Sequence, residues 1–267
     1  MIYLYLALLL VPAGAIFVWG KLVSRFSVKT WIVYRNTGII GGPVHEMAHA
    51  IACLLFGLRI RKLALFAPDA ITGQLGYVEF SYSPFSLRNS IGLLIQGIAP
   101  LLVGGAFAVL SLGTSSEQSL PNQGLVPLVV WIATVATGSV TAIVDLGTDS
   151  LQGFALALLV LVVSMHAIPS TADIALGLKG FTIISVAFGG LIFLLQMIPF
   201  QGEGVAMEFI IEAAGLVARY LEIGMWHALK GAVTVVTLSV VASVVLILIP
   251  ACFFQLKSFW EGARGHV

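Results

Sequence analysis

Residues 38–57 read Gly38-Ile39-Ile40-Gly41-Gly42-Pro43-Val44-His45-Glu46-Met47-Ala48-His49-Ala50-Ile51-Ala52-Cys53-Leu54-Leu55-Phe56-Gly57. The stretch is apolar enough to lie in a bilayer, yet its middle holds two histidines and a glutamate. On a helix, positions four apart share one face, so both imidazoles can reach a single Zn²⁺. Glu46 is then placed to act as general base on an attacking water. The chain's own His and Glu frequencies make a chance match roughly three in a thousand. A charged side chain at bilayer depth costs about 2.5 to 3.5 kcal/mol, and a bound dication is the obvious compensation. The bland alternative is that the three side chains only hydrogen-bond neighbouring helices.

Composition sets the class. Of 267 residues, 59% are hydrophobic and 9% charged, and the mean hydropathy is +1.06, more apolar surface than one water-soluble core could hide. The expectation is an all-α polytopic protein of the cell membrane, one integral membrane domain over 1–267 with six or seven transmembrane helices. Candidate spans are 2–20, 38–57, 90–112, 125–144, 150–168, 180–199 and 231–255, with 125–144 the one that could instead re-enter. The first segment lacks a basic stretch ahead of its apolar run, which favours a retained helix over a cleaved signal. Residues 203–230 mix Glu208, Glu212, Arg219 and Glu222 with apolar positions and read as a separate interfacial helix before the last span. A net charge of +1 argues against nucleic acid as a partner. Lys and Arg divide almost evenly between the two sides, so the positive-inside rule gives no orientation. Cys53 and Cys252 fall in apolar segments and read as small buried hydrophobes. Nothing in the sequence addresses oligomeric state.

Proline is comfortable only in a helix's first turn, so the helix bearing the histidines is expected to begin near Pro43 and end near Phe56. Fourteen or so residues rise about 21 Å, short of a hydrocarbon layer of about 30 Å. Residues 36–42 are therefore expected to complete the crossing irregularly, lining a water-filled cavity. Catalytic zinc keeps three protein ligands and one open position. The candidates for the third lie in Met165-His166-Ala167-Ile168-Pro169-Ser170-Thr171-Ala172-Asp173: Asp173 is favoured, and His166 is the alternative ligand or a partner that orients the carboxylate. Ser170 or Asp173 could equally cap the helix after Pro169. Gln96, near Pro100, could line the cavity by hydrogen bonding or only satisfy backbone freed by a kink, and stays outside the site.

Between these segments, 60–67 and 74–82 are short β-prone runs flanking Pro68-Asp69-Ala70-Ile71-Thr72-Gly73, which is turn chemistry. A hairpin is expected, small and membrane-associated. Its edge could hold a substrate in extended form, or it could be an ordinary interfacial hairpin.

The run from Gly41 to Ala50, followed by Phe56-Gly57-Leu58-Arg59 and then 63–66, resembles the catalytic segment of site-2-protease-type intramembrane metalloproteases, particularly compact prokaryotic ones. The resemblance covers about 38–175, the expected catalytic core. It implies His45 and His49 as zinc ligands, Glu46 as catalytic base and Asp173, from a later helix, as third ligand. It also implies a β-structured segment after the active-site helix and a transmembrane protein as substrate. The family's distal aspartate usually stands in Leu-Asp-Gly, whereas here it stands in Ala172-Asp173-Ile174. Two readings from other classes use the same residues: a membrane metal transporter or sensor, and a catalytically inactive scaffold that binds transmembrane clients.

Overall fold

The computed structural model describes residues 13, 14, 17, 28–84, 86–113, 124–197 and 205–250. In chain order they form helix α1 (Val28–Phe56), strands β1 (Arg59–Ala64) and β2 (Tyr77–Ser81), then helices α2 (Leu87–Gln96), α3 (Ala99–Ser111), α4 (Leu125–Asp149), α5 (Leu151–His166), α6 (Thr171–Met197) and α7 (Val205–Ser243). A π-helical turn, Val244–Leu248, continues α7.

The expected break before Pro43 is corrected. α1 runs unbroken for 29 residues with Pro43 inside it. A helix is the form in which an apolar segment's backbone groups satisfy one another. Keeping it through a proline forfeits one hydrogen bond at about 3 kcal/mol, whereas unwinding seven residues would orphan several donors and acceptors. The C-terminus closes as a Schellman motif: Gly57 takes φ +69°, the Leu58 amide donates to Cys53 at 2.8 Å and the Gly57 amide to Leu54 at 3.4 Å. Arg88 donates to the Leu55 carbonyl and Asn89 to that of Phe56.

Four helices among the described residues are long and apolar enough to cross a membrane: Trp31–Phe56, Leu125–Asp149, Thr171–Gly190 and Arg219–Leu248. α2 and α3 form a fifth if the pair, bent by 56°, is one span. The expected 90–112 span is two helices with a bend between them, a broken span or a re-entrant loop. Residues Leu125–Asp149 form one continuous helix, long and apolar enough to cross. α5 has 16 residues, about 24 Å, and is shorter than the expected 150–168 segment. The segment 2–20 lies outside the described residues apart from 13, 14 and 17, and Cys252 lies outside them too. The interfacial helix expected over 203–230 is not separate from the last span, because α7 runs through 39 residues. No proline falls between Val205 and Ser243 to interrupt it. Leu54, Leu55, Leu110 and Leu151 are all at least 65% exposed, a surface compatible with a membrane.

Small residues let the helices approach closely. Gly105 of α3 faces the backbone of Gly231 in α7, and Gly97 faces Gly177 of α6. Leu238, Ala242, Val160 and Met165 form the largest buried apolar cluster, where α5 and α7 meet α3 and α4. β1 and β2 pair antiparallel, Arg59 opposite Ser81 and Ala64 opposite Tyr77, with a bulge between Ile60 and Lys62. Residues 68–73 make the turn, where the Ile71 amide and Thr72 hydroxyl donate to Asp69 and hold its exposed carboxyl below the usual carboxylate range. A Lys62–Glu79 ion pair at 3.2 Å crosses the strands in solvent, where such pairs contribute little.

Candidate metal centre

α1 presents His45 and His49 on one face, as i and i+4 spacing demands. Their Nε2 atoms are 3.2 Å apart and the rings meet edge to face, 4.8 Å between centroids. Asp173 comes from the first turn of α6: Oδ1 lies 3.3 Å from His49 Nε2, and Oδ2 lies 3.8 Å from His45 Nε2. One ligand atom from each of the three residues falls within 4.8 Å of the others, so the group could hold a metal ion. Residues 128 and 124 positions apart in sequence thus share one locus.

The break between α5 and α6 explains why. Pro169 stops a continuous helix, and the last carbonyls of α5 have no intrahelical partner. That of His166 accepts a 2.6 Å hydrogen bond from His45 Nδ1. A carbonyl can only accept, so the proton sits on Nδ1 and the neutral ring leaves Nε2 as a bare lone pair. Two imidazole nitrogens then face one another at 3.2 Å beside a carboxylate, in a place where His49 is 4% exposed and its Nδ1 has no partner among the described residues. A proton on His49 Nε2, donated to His45 Nε2 or to Asp173, or a cation shared by the three residues, would satisfy these facing acceptors.

On the other side of the break, Ser170 caps α6. Its hydroxyl accepts from the Asp173 amide at 3.2 Å, while its own amide and hydroxyl donate to Asp173 Oδ2, both at 2.7 Å. This is a capping box with aspartate in place of glutamate. Capping leaves room for ligation, since the box engages Oδ2 and leaves Oδ1 towards His49. The helix N-terminus also favours a carboxylate there.

The His166 imidazole is engaged elsewhere. Its Nε2 lies 3.0 Å from Thr37 Oγ1 and its ring is tilted against Tyr34, 4.5 Å between centroids. It is the backbone of this residue that meets the histidine pair. Gly41, one turn before His45, makes the approach possible: a Cβ there would stand 2.6 Å from His166 Cγ. Gly41→Ala should push α5 off α1 and stretch the His45–His166 contact. Affinity for a divalent metal at this group should fall by about 10- to 100-fold, the range for partners that orient metal ligands, as read by competition with a fluorescent chelator. Unchanged affinity would show that the carbonyl does not orient His45.

Glu46 is 7% exposed and borders a cavity of about 430 Å³ shared with the histidines, Asp173 and residues 73–78 of the hairpin. Gly76 gives it room, because a Cβ at that position would come within 2.7 Å of Glu46 Cγ. Gln96, for which the sequence leaves both kink and cavity open, lines the same cavity. The only sequence signal for it is a polar side chain in an apolar helix. Neither a protein-family model, nor a curated protein, nor a solved structure matches this chain.

Proposed function

We propose that the protein is an intramembrane zinc metalloprotease, hydrolysing peptide bonds of membrane-embedded substrate proteins. The observation that carries this is the convergence of His45, His49 and Asp173 beside the carboxylate of Glu46 at one cavity. Zinc suits the ligand set: bonds of about 2.05 Å in tetrahedral array need ligand atoms roughly 3.3 Å apart, the two Nε2 atoms are 3.2 Å apart, His49 Nε2 is 3.3 Å from Asp173 Oδ1, and one ligand atom from each residue lies within 4.8 Å of the others. Two imidazoles and one carboxylate are also a set that catalytic zinc uses.

A bound zinc ion would supply Lewis acidity, easing proton loss from water and drawing charge from the scissile carbonyl. Glu46 takes the proton from the attacking water and hands it to the leaving amine nitrogen. The His166 carbonyl fixes the tautomer and orientation of His45. Ser170 holds Asp173 in place through its cap. Residues 73–78 border the cavity beside Glu46, so an unwound substrate segment can lie along the hairpin in extended form. That matters because a helical substrate shields its own carbonyls through internal hydrogen bonds.

A complete His-Glu-x-x-His favours an enzyme over a transporter, which has no use for a carboxylate base beside the ligands. In proteoliposomes, the zinc-loaded protein should cleave a co-reconstituted single-span peptide, and 1,10-phenanthroline should stop it until zinc is returned. Cleavage that survives complete metal removal would overturn the proposal. Zinc flux across the vesicle wall with no cleavage would favour transport.

A further inference from the structure

Gln96 ends α2, one residue before the bend that separates it from α3. It is 2% exposed, yet it lines the cavity that holds the histidine pair, Glu46 and Asp173. Its Oε1 is buried and has no hydrogen-bond partner among the described residues. An unsatisfied buried carbonyl oxygen costs about 1 to 3 kcal/mol, so such a group is kept only where something compensates. The bend does not use it. The amides of Gly97 and Ile98 already donate to the Leu93 and Ile95 carbonyls, both at 3.1 Å.

We infer that Gln96 is a substrate anchor, whose side-chain amide pairs with a backbone amide of the extended peptide in the cavity. The inference rests on the protease reading and adds a residue to it. A primary amide carries donor and acceptor side by side, the complement of the N–H and C=O that one residue of an extended strand presents on the same side. Only an unwound segment has that N–H and C=O free, since in a helix both are engaged. The side chain thus recognises the backbone in its extended state and is indifferent to the identity of the residue it holds. Its position is set from behind by the Gly97–Gly177 contact, where a Cβ at Gly97 would meet the Asp173 carbonyl oxygen at 2.6 Å. The anchor and the third ligand are therefore braced by the same helix crossing.

Two hydroxamates separate the roles on zinc-loaded full-length protein in detergent micelles. Acetohydroxamate reaches only the metal, whereas acetyl-dileucine hydroxamate adds peptide bonds. Gln96→Met, unbranched and apolar, should weaken the dileucine compound about tenfold while leaving acetohydroxamate affinity and zinc content unchanged. Should Gln96→Met lose zinc, Gln96→Asn, with the amide drawn back by one methylene, should show the same selective loss. Equal affinities of wild type and a zinc-replete variant for the dileucine compound would overturn the inference. Loss of zinc from both variants would also overturn it, making the side chain a support of the bend. Failure of acetohydroxamate to bind the wild type would instead bring down the metal reading on which the anchor depends.

Discussion

Glu46→Gln should retain zinc at wild-type stoichiometry while its cleavage rate falls by about 10²- to 10⁴-fold, the contribution of a positioned general base. The substitution is nearly isosteric and lies outside the group of three that could hold a metal. Among the described residues lining the cavity, it removes the carboxylate that stands outside the possible ligand set and could take a proton from water. The space around it is defined by Gly76, so the amide should fit where the carboxylate sat. Single-turnover cleavage of a reconstituted single-span peptide, with zinc counted on the same sample, reads both quantities. Undiminished turnover would remove Glu46 from the chemistry, and loss of zinc would make it a ligand.

Asp173→Asn should do the reverse, lowering zinc affinity by more than about 100-fold, beyond the loss typical of groups that only orient ligands. The neutral amide oxygen can still accept from the Ser170 amide, so the cap of α6 survives and the helix stays in register. Ser170→Ala supplies the contrast. It deletes the hydroxyl that accepts from the Asp173 amide and donates to Oδ2, at a cost of about 1 kcal/mol in stability, and loosens the carboxylate while keeping its charge, so the loss of zinc affinity should stay within about 10- to 100-fold. Zinc affinity should therefore separate the two variants although they touch the same hydrogen-bonded turn. Similar losses in both would mean that Asp173 matters only as a cap.

The histidine pair was legible because helical spacing is local: residues four apart meet on one face whatever the rest of the chain does. Asp173 was legible for a second local reason, since few ionisable side chains border an apolar segment, and Pro169-Ser170 marks a helix start beside it. The role of the His166 carbonyl was not, because which backbone group meets His45 depends on how closely α5 approaches α1 at Gly41. The choice between the two readings of Gln96 was not legible for a related reason. A polar residue near a proline looks the same from sequence whether it serves the bend or the cavity, and only the placement of the hairpin and α6 distinguishes them. Pro43 misled in the other direction: its local preference for a first turn was overridden by the cost of exposing several unpaired backbone groups in an apolar segment. Likewise the charged residues of 203–230 suggested a separate interfacial helix, although no breaker stands between them and the last span. The expectation of a membrane protein came from composition, which needs no register, and four or five helices long and apolar enough to cross one are compatible with it.

Elemental analysis of the purified, folded protein addresses the convergence of His45, His49 and Asp173 most directly. One zinc ion per chain is expected in the wild type, with none above background once His45 and His49 are both replaced by alanine. A folded wild type that binds no divalent metal after zinc loading, or a double variant that retains as much zinc as the wild type, would contradict it.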